Sequence, residues 1–201
     1  MDNKNNCLLY GASGHGKVVF DTLKSRGISV PVIFDDDSKI ENVVNIKVSL
    51  YTKDLYNNVK LIISIGNNRV RKHLSTIINH SYFTITHRNS IIDDTVVINE
   101  GSVVFAGAII QSSTIIGKHV IINTKASVDH DCVIGDFVHI APGATICGGV
   151  KVEEGTFIGA GAVVLPNVKI GKWVVVGAGA VVIKNIEDNE AWVGNPARKI
   201  K

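Results

Sequence analysis

Between Ile92 and Ile186 the chain repeats every six residues. Steps of six from Ile92 land on Ile98, Val104, Ile110, Ile116, Ile122, Val128, Ile134, Ile140, Ile146, Val152, Ile158, Val164, Ile170, Val176 and Val182, every one Ile or Val. Four places after each lies a second column, running from Val96, Ser102, Ala108 and Thr114 to Ile186, in which nearly all residues are small or β-branched. A period of six suits neither an α-helix nor a hairpin alternation. It suits a coil of three short strands, one hexapeptide each, so that eighteen residues close a turn and about five turns stack into a prism. Stacked coils pair their backbones at about 4.8 Å. Branched Ile and Val fill the axis of such a prism, and the small column fills its corners.

The rest of the chain has a different composition. Residues 1–90 hold seven of the eight leucines and five of the 19 glycines, and carry a net charge of +5; residues 91–201 carry −2. Two folding units are expected, 1–90 and 91–201, with the boundary near His87–Ile92. The overall charge of +3 is too small to point to nucleic acid or a membrane surface. Three cysteines without CxxC spacing argue for a reducing compartment. The polar opening, residues 1–6, does not read as a signal peptide, and the longest apolar stretch, ten residues from Val174 with two glycines, is too short to span a bilayer. A cytoplasmic protein is expected.

In the first unit, Cys7–Tyr10 reads as a buried strand, Gly11-Ala12-Ser13-Gly14-His15-Gly16 as a glycine-rich turn, and residues 17–26 as a helix stopped by Gly27. Strands at 30–34 and 60–65 and a helix near 70–78 follow. Alternating strand and helix predict an α/β unit with a parallel sheet and its loops at the carboxyl ends. Backbone N–H groups of the turn, at a helix N-terminus, suit a phosphate, although the G-x-x-G-x-G spacing departs from the dinucleotide fingerprint. Asp35 and Asp36, about twenty residues on, suit a ribose or sugar hydroxyl.

In the second unit His130 stands at an outward-facing repeat position in Val128-Asp129-His130-Asp131-Cys132. A histidine between two carboxylates suits a general base, because one carboxylate can fix its tautomer and stabilise the imidazolium. Asp131 is the favoured partner. Eighteen residues later comes the pair Gly148-Gly149, which leaves room for a substrate and exposes a backbone N–H able to hold an oxyanion. Cys132 falls in the inward column and reads as core. Cys147 faces outward with no neighbouring base to activate it, and His73, His80 and His119 read as solvated or structural. Outward-facing Val103, Val133, Val163, Val175 and Val181 predict packing between prisms.

The hexapeptide columns, together with Gly194-Asn195-Pro196-Ala197-Arg198, resemble the hexapeptide-repeat acyltransferases and their G-x-P-A-[KR] tail. Y-G-A-S-G-H-G, F-D-D and I-G-N-N in the first unit narrow the resemblance to the nucleotide-sugar N-acetyltransferases and related sialic acid O-acetyltransferase-like proteins. The resemblance implies an α/β plus all-β chain, with a small N-terminal Rossmann-like βαβ domain before a left-handed parallel β-helix. It implies transfer from acetyl-CoA to a 4-amino-4,6-dideoxy sugar on a nucleoside diphosphate. Ser13, Gly14, His15, Asp35, Asp36 and Gly66 then fall at the nucleotide sugar, and His130 and Asp131 at the catalytic base. Gly148, His139, Ala160 and Ala178 fall along the coenzyme slot, which lies between two prisms of a homotrimer.

Three rivals remain at this level: O-acetylation of sialic acid or another hydroxyl, a zinc enzyme, and a non-catalytic nucleotide-sugar binder. His119, His130 and His139 occupy three different repeat positions, which disfavours a three-histidine metal site, so no metal is expected.

Overall fold

The structure is a computed structural model that describes residues 5–201, so most of the polar opening segment, and with it the expectation of no signal peptide, lies outside the described residues. The first unit contains β1 (Leu8–Tyr10), α1 (Gly14–Ser25), β2 (Ile33–Phe34), β3 (Asn42–Val43), β4 (Ile46–Ser49), β5 (Leu61–Ile63) and α2 (Asn68–Ile77). Its sheet has the order β3-β4-β2-β1-β5 and is parallel except for the β3/β4 hairpin. The helix α1 begins three residues earlier than the sequence suggests, inside the glycine turn. Gly16 is what allows this, since a Cβ there would overlap the carbonyl oxygen of Gly11.

The second unit is a parallel β-helix of two-residue strands on three faces. A first face pairs the strands that start at Ile91, Ile109, Ser127, Thr145, Val163 and Val181. A second pairs those that start at Val97, Ile115, Val133, Lys151 and Lys169. A third begins with β6 (Ile85–Thr86), continues through the strands at Val103, Ile121, His139, Phe157 and Val175, and ends in an antiparallel hairpin of 191–193 and 198–199. Partners stand eighteen residues apart, as in Ile110↔Val128 and Ile122↔Ile140. Both predicted columns point inward: from Val104 to Val182 the Ile/Val column is at most 2% exposed, and Cys132 is enclosed in the small column. Trp192 and Ala197 of the hairpin close one end of this core.

The two units share a core. Val19 and Leu23 of α1 pack with Leu9 and Ile33 on one side and with Ile85, Val103, Phe105 and Ile121 of the third face on the other. Val103, expected to face another prism, is therefore covered by the chain's own first unit. Val133 and Val175 remain exposed. The helix α2 covers the opposite side of the sheet, where Leu74 and Ile78 pack on Leu8, Tyr10 and Leu61. Among the described residues no helix is long and apolar enough to cross a membrane.

Ile140 is wholly enclosed at the axis. Ile140→Ala is expected to lower stability by about 2–5 kcal/mol, whereas Lys151→Ala on the exposed second face changes it by no more than about 0.5 kcal/mol. Urea denaturation of the two variants checks the contrast.

Candidate active site

His130 sits on the edge between the first and second faces. Asp131 next to it has φ 59°, the left-handed turn conformation that Asp tolerates better than most residues. The turn brings its Oδ2 to 2.7 Å from His130 Nδ1. A carboxylate can only accept, so Nδ1 carries a proton, and in the neutral ring Nε2 keeps its lone pair. Both side chains are more than half exposed.

The ring lies against Gly148 of the next coil, where a Cβ would stand 2.7 Å from both Cε1 and Nε2. The space that Gly148 leaves is thus taken by the imidazole and not by a substrate, and the glycine seats the ring. The Gly148 N–H donates to no acceptor among the described residues. Asp129, Cys147, Gly149, Pro166 and Asn167 complete a cavity of about 370 Å³ around the pair.

Ala160 and Ala178 are exposed one above the other on a different edge, between the third and first faces. Gly161 and Gly179 follow them, with open space where a Cβ would project. This column of small residues leaves that edge free of side-chain obstruction over two coils. Among the described residues, no group of three or more His, Cys, Asp or Glu side chains is placed to hold a metal ion.

The sugar-nucleotide candidates gather at the carboxyl edge of the parallel sheet. Ser13 is exposed, precedes α1 and makes no side-chain cap, and Gly14 has open space around it, so the N-terminal N–H groups of α1 are accessible. Asp35 is already engaged: its Oδ2 accepts from Ala12 N–H at 2.7 Å and its Oδ1 from Asp37 N–H at 2.9 Å. It braces the glycine turn. Asp36 accepts from the Tyr10 hydroxyl at 2.6 Å and is itself exposed.

His15 and His139 meet at the seam between the two units, their ring centres 6.0 Å apart. His139 points away from the prism axis, as its repeat position requires, but the first unit covers it to 7% exposure. Its Nδ1 lies 3.2 Å from Gly66 O and its Nε2 3.0 Å from Asn123 Nδ2. A carbonyl can only accept, so Nδ1 carries the proton and Nε2 accepts from the amide. His139 is therefore grouped with His15 and Gly66 on the third face, away from the Gly148 edge. His119, also buried, stacks on Phe137 at 5.1 Å. His80 is buried with its Nδ1 3.0 Å from the Tyr51 hydroxyl, and His73 is exposed. Arg71 and Asn68 bind the seam together; Asn68 stands in the sequence only as the end of the I-G-N-N motif, and no sequence motif marks Arg71. The available signal is an Asn and an Arg three residues apart on α2 with no acidic residue in that helix.

Residues 6–78 match the PglD N-terminal domain family, and residues 113–148 and 149–184 each match the bacterial transferase hexapeptide (six repeats) family. The perosamine N-acetyltransferase of Caulobacter crescentus, solved with CoA and GDP-perosamine as a variant in which one histidine is replaced by asparagine, is 34% identical, and the match covers 98% of each chain with a TM-score of 0.93. The chain belongs to the hexapeptide-repeat acyltransferases. The acyltransferase is also similar to the acetyltransferase domain of PglB from Neisseria gonorrhoeae, at 33% identity over 98% of this chain and 100% of that one, with a TM-score of 0.89. A UDP-N-acetylbacillosamine N-acetyltransferase from Bacillus subtilis is 38% identical over 111 residues, 50% of this chain and 51% of that protein. The acyltransferase thus spans about half the length of this curated relative in the match.

Burial holds the seam imidazoles neutral, lowering the pKa of His15 and His119 to about 4 and of His139 to about 3, with the nearby Arg71 cation adding to the effect in all three. An unfolded histidine takes up its proton near 6.5. Between these values the unfolded chain binds more protons than the folded one, so stability is intact above about pH 6.5 and declines as pH falls towards 4. Urea midpoints between pH 7.5 and 5 should fall accordingly. His119→Phe, which keeps the stacking on Phe137, should reduce the slope by about one proton; a slope that this variant leaves unchanged would contradict the assignment.

Proposed function

We propose that the protein transfers an acetyl group from acetyl-CoA to the 4-amino group of a nucleotide-linked 4-amino-4,6-dideoxy sugar, with His130 as general base. The observation that carries this is the exposed His130 imidazole, held at Nδ1 by Asp131 and seated on Gly148 beside an unpaired backbone N–H. The acceptor class is supported by the similarity over 98% of the chain, through both units, to a perosamine N-acetyltransferase bound to CoA and GDP-perosamine.

Nε2 of His130 takes a proton from the substrate ammonium as its nitrogen attacks the thioester carbonyl. Asp131 stabilises the imidazolium that results. The Gly148 N–H donates to the oxyanion of the tetrahedral intermediate. As the C–S bond breaks, His130 returns that proton to the departing thiolate, and the second proton lost by the nitrogen on its way from ammonium to amide passes to solvent, so the enzyme ends the cycle unchanged. The amine is itself the nucleophile and no acyl-enzyme forms. Ser13, Gly14 and the N-terminus of α1 receive the diphosphate, Asp36 a hydroxyl, and His15, His139 and Gly66 line the sugar.

The two halves of this site lie apart in one chain. In a three-sided prism the edge between the first and second faces stands opposite the third face, where the first unit docks. The sugar held by one chain therefore reaches His130 of another. Exposed Ile109, Val133 and Val175 on the outer columns provide apolar contact area, and a homotrimer lets all three sites form by one repeated contact. Acetyl-CoA and a nucleotide sugar as substrates support a cytoplasmic location.

Thiol release from acetyl-CoA, measured against UDP-, dTDP- and GDP-linked 4-amino sugars, free sialic acid and serine, tests the assignment. Release with an amino sugar, abolished in His130→Ala, is expected; release with sialic acid alone would replace the acceptor and keep the chemistry. Gly148→Ala pushes a methyl into the imidazole and should lower kcat on the order of 100-fold, with the melting temperature nearly unchanged because the site is on a solvent-facing edge.

A further inference from the structure

Arg71 is 1% exposed and heads the wholly enclosed large side chains. Among the described residues it has no carboxylate partner. Neutral oxygens meet its charge instead. Nε donates to His119 O at 2.8 Å, Nη2 to Phe137 O and to Asn68 Oδ1, each at 2.9 Å, and Nη1 to Ile65 O at 2.9 Å and Gly66 O at 3.3 Å. The five bonds match the five donors of a guanidinium. Burying a cation without a counter-ion is costly, and packing alone would be served by Leu or Met.

The acceptors form an ordered set. His119, Phe137 and Gly155 stand eighteen residues apart, one per coil, on the edge between the second and third faces. Their carbonyls take no part in the coil-to-coil ladder, which at this edge uses the carbonyls of Glu100, Lys118, Asp136 and Glu154. Arg71 engages the first two, and Asn68 Nδ2 engages Gly155 O at 3.0 Å and Thr156 O at 3.2 Å. One turn of α2 thus grips three successive coils. On its other side the same guanidinium holds the Ile65–Gly66 loop, whose Gly66 carbonyl accepts from His139 Nδ1.

We propose that Arg71 is a positioning residue for acetyl transfer: by tying Ile65 and Gly66 to the carbonyls of His119 and Phe137, it sets the height of the sugar-binding loop along the prism and the tautomer of His139. The kinetic part of this rests on the placement of Gly66 at the acceptor sugar. Lysine substitutes only in part, because a point charge with three donors does not span all the acceptors on both units.

Arg71→Gln and Arg71→Lys in the full chain test the proposal, by KM for each substrate and by ¹⁵N NMR of the His139 ring. In Arg71→Gln the KM for the nucleotide sugar should rise on the order of 100-fold, the KM for acetyl-CoA should stay in place, and the His139 Nδ1 proton signal should be lost. Arg71→Lys should fall between this variant and the wild type. A parallel rise in both KM values, no change in either, or an intact Nδ1 proton would overturn the proposal. If Arg71→Gln does not fold, Asn68→Ala, which removes one coil contact and one acceptor of Arg71, decides by the same KM ratio. If the wild type acetylates none of the sugars, the acceptor assignment fails, and the His139 proton alone decides whether Arg71 governs that ring.

Discussion

Each residue of the β-helix sits directly over the residue eighteen places before it, and this superposition limits what can stand at every position. Inside, it forces the Ile/Val and small columns, since any misfit repeats against two neighbours. Outside, it couples size to size between coils. The His130 ring occupies the space above Gly148, His119 the space at Gly101, and Trp173 the space at Gly155. At the turns between faces a bulky side chain such as His130 fits against a glycine one coil away, so the candidate base is created by a pair of positions and not by one.

That coupling explains what could be read in advance. The period reveals the fold because every coil buries the same columns, and the Asp-His-Asp run and Gly148 are legible because eighteen is a multiple of six. Periodicity tells which residues leave the prism but not what covers them outside. Val103 and His139 both point outward, and both are covered by the first unit. Asp35 stands where an acid could bind a ligand, yet its two oxygens hold the glycine turn. Arg71 has the sequence context of an ordinary helix-surface charge, and only tertiary packing encloses it.

The structure keeps its histidines in two electrostatic settings. At the seam, burial beside a guanidinium disfavours a second positive charge, so His15, His119 and His139 are held neutral, and His139 uses both ring nitrogens in hydrogen bonds. On the open edge, His130 faces water with the Asp131 carboxylate at Nδ1. The proposed division of labour, substrate placement at the seam and proton transfer at the open edge, follows this contrast.

The grip of α2 on the carbonyls of His119, Phe137 and Gly155 makes the prism a graduated scale with its zero at the seam. An extra coil of eighteen residues beyond Trp173 would lengthen the scale by about 4.8 Å and leave its zero untouched. An extra hexapeptide between Gly155 and Trp173 would turn everything after it by a third of a revolution and exchange the edges. An insertion between His119 and His130 would instead carry the base itself to another edge. Length changes in such a chain are therefore quantised, and their tolerance depends on which side of the seam contacts they fall.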